Sequence, residues 1–218
     1  MKKTEMKKTE TEREDRERRQ RPPRSPLYLC LYLCLFPALF PCPGWADSPA
    51  DTTRRLIESI RAYGAKDPSS SPDHNLQRVE EPLAIAELAR WLLGPYWQKI
   101  GAEEQKNFTA LVTRLLREIA YPRAAEFLGN IRIEYGREQV NGSEALVETT
   151  AVDPKEGQVR IDYRLRQIQG RWMVWDVLLD GISLATNLRS QVQSVIAKKS
   201  YQELIKRMRE KLEEGKSG

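Results

Sequence analysis

Cysteine and histidine are nearly missing from this 218-residue chain: the three cysteines, Cys30, Cys34 and Cys42, all precede Asp47, and the single histidine is His74. From Asp47 onward there is no thiol for a disulfide, a metal centre or nucleophilic catalysis, and one imidazole in a polar stretch has no visible partner for metal binding or base chemistry. A glycine-rich phosphate loop is absent too. Net charge is low where it would matter. Residues 1–26 hold ten of the 36 Lys and Arg and six of the 31 Asp and Glu, which leaves 26 basic against 25 acidic residues from Asp47 on. Nucleic-acid binding needs a basic patch on the folded part and finds no support. No metal and no cofactor are expected.

Long apolar runs are also scarce. The one candidate, Leu27 to Phe40, has fourteen residues, short of the roughly 20 that span a bilayer. It follows a charged segment and is followed by Gly44-Trp45-Ala46, with small residues at −3 and −1 of a cleavage point. The expectation is a signal peptide with a long charged start over residues 1–46, a soluble mature chain beginning at Asp47, and one domain over residues 47–218. Leu39-Phe40-Pro41 fits a lipidation site at Cys42 poorly.

What the mature chain does have is alternation. Val159, Ile161, Tyr163 and Leu165 alternate with Arg160, Asp162, Arg164 and Arg166, and after Gly170 a second alternating run carries Met173, Trp175, Val177 and Leu179. This predicts a β-hairpin over Gly157 to Asp180 with one apolar face. A three-residue loop ending in Gly170 would pair 165 with 173, 163 with 175 and 161 with 177, and make Asp162 and Asp176 cross-strand neighbours. Ile131, Ile133 and Tyr135, the Asn141-Gly142 turn and Ala145 to Val152 give a second hairpin, so the sheet is expected to be a four-stranded antiparallel meander.

Helices flank it. Asp51 to Ala65 reads as a helix capped by Thr52 or Thr53, Lys66 to Asn75 as a loop, and Pro82 as the opening of a helix that stops at Gly94-Pro95. Gly101 starts a third helix whose Phe108, Leu111, Val112, Leu115 and Ile119 stay in phase for three turns until Pro122 interrupts it. Such a helix, laid across the sheet, would roof a cavity. Leu184 to Lys198 and Tyr201 to Glu213 are helical. Helices, then strands, then helices make an α+β fold, of an NTF2-like or cystatin-like kind, with N- and C-terminal helices packed on the sheet.

Several segments together resemble the MlaC or "toluene tolerance" family of periplasmic phospholipid-binding transport proteins. They are Leu88 to Trp97 followed by Glu103, Glu104 and Phe108; Tyr121 and Leu128; Asp162 to Leu165; Trp172 to Val177; and Gly181 to Gln191. Asn187-Leu188-Arg189 departs from the family, which usually has a tyrosine before the arginine. The resemblance implies a periplasmic carrier that holds a phospholipid by its acyl chains in an apolar cavity enclosed by the sheet and the N- and C-terminal helices. It also implies two partners: an inner-membrane ABC transporter complex with an MCE-type substrate-binding subunit, and an outer-membrane lipoprotein. Residues that would otherwise be plain core become candidate pocket lining: Leu92, Trp97, Phe108, Leu111, Val112, Leu115, Ile119, Ile133, Val147, Ile161, Tyr163, Leu165, Trp175, Val177 and Leu184.

Only Asp162 and Asp176 suggest chemistry. Facing each other they could share a proton as an acid–base dyad, but Arg160, Arg164 or Arg189 could equally neutralise them and tie the sheet to the C-terminal helix. The readings to separate are a carrier, an enzyme using a buried Asp, and an interaction module with a filled core.

Overall fold

The computed structural model describes residues 47–65, 71–155 and 157–216, so the signal peptide expected over residues 1–46 lies outside the described residues. Helix α1 (Pro49–Gly64) begins two residues before the expected start. Its cap is Ser48 rather than Thr52 or Thr53: Ser48 Oγ accepts from the Asp51 N–H at 3.0 Å, and the Asp51 carboxylate accepts from the Ser48 N–H at 3.4 Å. The two threonines are fully buried instead. The expected 66–75 loop is also corrected, because helix α2 (Pro72–Glu80) starts inside it. Ser71 and Pro72 act as N-cap and first helical residue, and Val79 enters the core. His74 sits exposed in the first turn.

Pro82 does not open a helix. The Val174 N–H donates to Pro82 O and the Ala84 N–H to Val174 O, both at 2.8 Å, so Pro82–Ala84 runs beside Val174 as a short parallel bridge. Helix α3 (Ile85–Leu93) starts after it and ends at Gly94 with φ +52°. A 3₁₀ turn (Gly94–Lys99) leads to α4 (Ala102–Leu115). Pro122 has no N–H and its ring crowds the carbonyl four residues back, and the helix answers by widening. A π segment (Leu116–Ala120) forms, with the Tyr121 N–H donating to Leu116 O, and α5 (Tyr121–Leu128) continues.

The sheet has five antiparallel strands in sequential order, not four: β1 (Arg132–Asn141), β2 (Glu144–Asp153), β3 (Gly157–Ile168), β4 (Arg171–Leu179) and β5 (Ile182–Ser183). Strand β5 is too short for periodicity to reveal; it exists because Asp180 and Gly181, both at positive φ, fold a two-residue turn. Strand β1 is the opposite edge. It carries a bulge between Tyr135 and Glu138, and among the described residues no strand pairs with its outer side. Helices α6 (Leu184–Lys198) and α7 (Tyr201–Lys216) close the chain.

The register of the β3–β4 hairpin differs from expectation. Gln169 (φ +51°) and Gly170 (φ +79°) form a two-residue turn of the type whose twist suits a hairpin. Leu165 pairs with Val174 rather than 173, Tyr163 with Val177 rather than 175, and Ile161 with Leu179 rather than 177. A bulge at Trp175 absorbs one residue and restores the faces. Asp176 consequently lies opposite Arg164, while Asp162 lies opposite Leu178 on one side and Glu148 on the other.

Two apolar clusters result. On one face of the sheet, Leu56, Ile57, Val79, Tyr121 and Leu128 pack on Ala145, Val147, Ala151, Ile161, Tyr163, Leu165 and Val174. The second is purely helical: Ala89, Leu92 and Leu93 meet Ile100, Phe108, Val112, Tyr201 and Leu204. Helix α4 therefore packs between α3 and α7 rather than across the sheet, and α1 takes the position over the strands. Leu116, at the π segment, packs against both clusters.

Candidate functional site

Of the fifteen residues expected to line one pocket, ten are divided between the two clusters and five lie outside both. Val147, Ile161, Tyr163 and Leu165 are buried in the sheet cluster, with Ile133 and Val177 half-buried against it. Leu92, Phe108 and Val112 are buried in the helical cluster, with Trp97 beside them. Leu111, itself buried, borders an open groove of about 1410 Å3 between α4 and α7, lined also by Ala110, Tyr201 and Ile205 and by the charged Glu104, Arg114, Lys206, Arg209 and Glu213. Leu115 and Ile119 are half-buried, Ile119 lying against the end of α7 at Gly215. Leu184 is 39% exposed.

The bulge moves Trp175 off the expected face. It stands on the side of Arg164 and Asp176, where Trp91 of α3 meets it edge-on (centroids 5.5 Å, 70°) and the Arg166 guanidinium lies over it at 5.1 Å. Arg189 of α6 lies over Trp91 at 4.1 Å. Sequence periodicity missed this aromatic stack because an alternating pattern cannot register a bulge that changes the face of one residue.

The two buried aspartates do not meet as a pair. Asp162, 2% exposed, is held by Arg160 at 2.7 Å, and the same guanidinium reaches Glu148 at 3.6 Å. Asp176, 3% exposed, accepts from Ser183 Oγ at 2.7 Å, from the Ala185 N–H at 2.9 Å and from Arg164 at 3.3 Å. It thus receives the first turn of α6, where a negative charge is favoured by the unpaired N–H groups and the helix dipole. Of the three arginines considered for these carboxylates, Arg160 and Arg164 take the role and Arg189 does not.

The interior of the sheet cluster contains two phenols. Burial pushes the Tyr121 hydroxyl above its ordinary range, helped by the charge of Glu80, and burial does the same to Tyr163. Tyr121 Oη is buried without a hydrogen-bond partner among the described residues. Among the described residues no group of three or more His, Cys, Asp or Glu is arranged to hold a metal ion, and no helix is long and apolar enough to cross a membrane.

A family model described as "MlaC protein" matches residues 50–210, from the start of α1 into α7. The chain belongs to the MlaC family. Among solved structures, the phospholipid-binding protein from Ralstonia solanacearum, in complex with a phospholipid, has a similar fold. The TM-score is 0.65 at 20% sequence identity, covering 78% of this chain and 99% of that one. No curated protein matches the chain. The MlaC match runs over nearly all of α1, both apolar clusters, all five strands and the Asp176 tie to α6.

Proposed function

We propose that this protein is a non-enzymatic phospholipid carrier that holds acyl chains in its apolar interior. On this reading it shuttles lipid in the periplasm between an inner-membrane ABC transporter complex with an MCE-type subunit and an outer-membrane lipoprotein. The observation that carries the reading is the MlaC match over residues 50–210. The phospholipid held by the Ralstonia protein of similar fold supports it. So does the state of Asp162 and Asp176, whose carboxylates are occupied by structural partners rather than facing an open cleft.

Energetics constrain how such a carrier works. Each buried methylene is worth ~0.8 kcal/mol relative to water, so a two-chain lipid would leave by free dissociation very slowly. Transfer then requires docking, in which the chains pass from one apolar site to another at little net cost. On this reading the acyl chains enter where the two clusters meet at Leu116, and the lining would draw on residues of both. Organic extraction of the purified protein followed by lipid mass spectrometry tests this. Copurified phospholipid near one molecule per chain is expected; a protein that arrives empty and takes up no labelled lipid overturns the carrier reading.

A further inference from the structure

Three arginines on one side of the sheet have carboxylates to match them: Arg160 with Asp162, Arg164 with Asp176, and Arg166 with Glu144. Arg189 differs. It is half-buried, its one described partner is the ring of Trp91, and among the described residues no carboxylate lies within ion-pair distance. Directly beneath it, Trp91 Nε1 is buried with no acceptor among the described residues. Two groups that only donate hydrogen bonds are therefore stacked together: the guanidinium nitrogens remain open to solvent, and so to an anion, while the indole N–H is buried without an acceptor among the described residues, which is costly.

A helix-capping role does not account for Arg189. The last carbonyls of α3 are taken by Gln193, one turn further along α6, whose Nε2 donates to Leu92 O at 3.0 Å and Leu93 O at 2.6 Å. The backbone also makes room for the arginine: a Cβ at Gly94 would lie 2.8 Å from Arg189 Nη2. Next along the same helices, Leu88, Leu92, Val192 and Ile196 belong to the helical cluster. A cation and an indole N–H therefore stand beside an apolar interior, an arrangement matched to an amphiphile with an anionic head.

We propose that Arg189 and the Trp91 indole N–H form the seat of a phosphodiester anion, the headgroup phosphate of the carried lipid. The inference rests on the carrier reading and adds to it a position for the headgroup. Trp91 occupies one face of the guanidinium, which leaves the in-plane N–H groups free to bind two phosphate oxygens side by side. An oxygen of that anion would also supply the acceptor that Trp91 Nε1 lacks among the described residues.

The test compares wild type with Arg189→Met, Arg189→Lys and Trp91→Phe. Each is offered dioleoylphosphatidylglycerol or uncharged dioleoylglycerol in the same detergent micelles, and separately inorganic phosphate. Bound lipid per folded molecule is read by native mass spectrometry, and the folded fraction by circular dichroism. Charge-assisted hydrogen bonds of this kind correspond to about a tenfold or greater loss of phosphatidylglycerol binding in Arg189→Met. Dioleoylglycerol binding stays unchanged, and Trp91→Phe shows a smaller loss with the same selectivity. Arg189→Lys keeps the charge without the fork, falls between wild type and Arg189→Met, and supplies the comparison if Arg189→Met does not fold. Equal loss of both lipids would show that Arg189 only positions the helices. No loss of either would place the phosphate elsewhere, and Arg189-dependent binding of inorganic phosphate without lipid selectivity would mark a free-anion site; each of these overturns the proposal. A wild-type protein that binds neither lipid would instead overturn the carrier reading on which it rests.

Discussion

Replacing Asp176 by alanine is expected to destabilise the lipid-free protein by about 3 kcal/mol, at the low end of the ~3–5 kcal/mol cost of removing one partner from a buried ion pair. The low end applies because the Arg164 side chain is 43% exposed and its freed charge returns to water. What remains is the loss of acceptors for Ser183 Oγ and for the buried Ala185 N–H. An orphaned buried donor alone costs ~1–3 kcal/mol. For a domain of this size each kcal/mol moves the midpoint by ~2–4 °C, so the expected fall in Tm is ~6–12 °C. Asp176→Asn keeps an oxygen for the Ala185 N–H and should lose about half as much. A cycle with Ser183→Ala should show coupling of ~1 kcal/mol, since the two side chains share one bond. Thermal unfolding followed by circular dichroism measures this, on protein stripped of lipid because a ligand bound only to the folded state raises Tm by itself. Lipid uptake per folded molecule should stay near wild type. A loss below ~1 kcal/mol in Asp176→Ala would refute the anchoring role, and a folded, stable variant that no longer takes up lipid would give Asp176 a part in function.

Phe108→Ala, in the helical cluster and fully buried, should cost ~3–5 kcal/mol. Leu111→Trp, bordering the open groove, should cost under ~1 kcal/mol, below the ~1–3 kcal/mol of overpacking a filled core; chemical denaturation ranks the two, and the reverse order would contradict the placement of α4. Deleting Trp175 removes the bulge yet leaves Leu165 opposite Val174 and Tyr163 opposite Val177, so that variant should keep a native-like NMR spectrum, while deleting Val177 should not. The phenols of Tyr121 and Tyr163 titrate higher when folded than when unfolded. Their contribution to stability is therefore complete below the ordinary tyrosine pKa of about 10 and is lost as pH rises through the folded values. Denaturation midpoints across alkaline pH should fall in wild type, and less steeply in Tyr121→Phe.

Much of the fold could be read from apolar spacing, and what escaped was what spacing does not encode. Phe108 and Val112 marked the buried side of α4 correctly, but a stripe says only that something covers it, and the cover is Tyr201 and Leu204 of α7 rather than the sheet. Alternation located β3 and β4, but the bulge at Trp175 leaves no compositional trace, and the pairing frame slipped with it. Ser71-Pro72 carried a helix-start signal that the serines and prolines around it disguised as loop. The choice of Arg160 and Arg164 over Arg189 for the aspartates depended on register and on where α6 begins. Neither is available before the strands are paired.

The free edge of β1 bears on how the protein behaves when crowded. Arg132 and Glu134 pair with each other, Arg137 reaches Glu148, and Glu138 accepts from the Ala50 N–H at 2.8 Å, with the bulge between Tyr135 and Glu138 bending the strand among them. Edge-to-edge joining of two copies would have to straighten that bend and strip water from these charges. High concentration therefore gives this sheet little tendency to grow into ribbons.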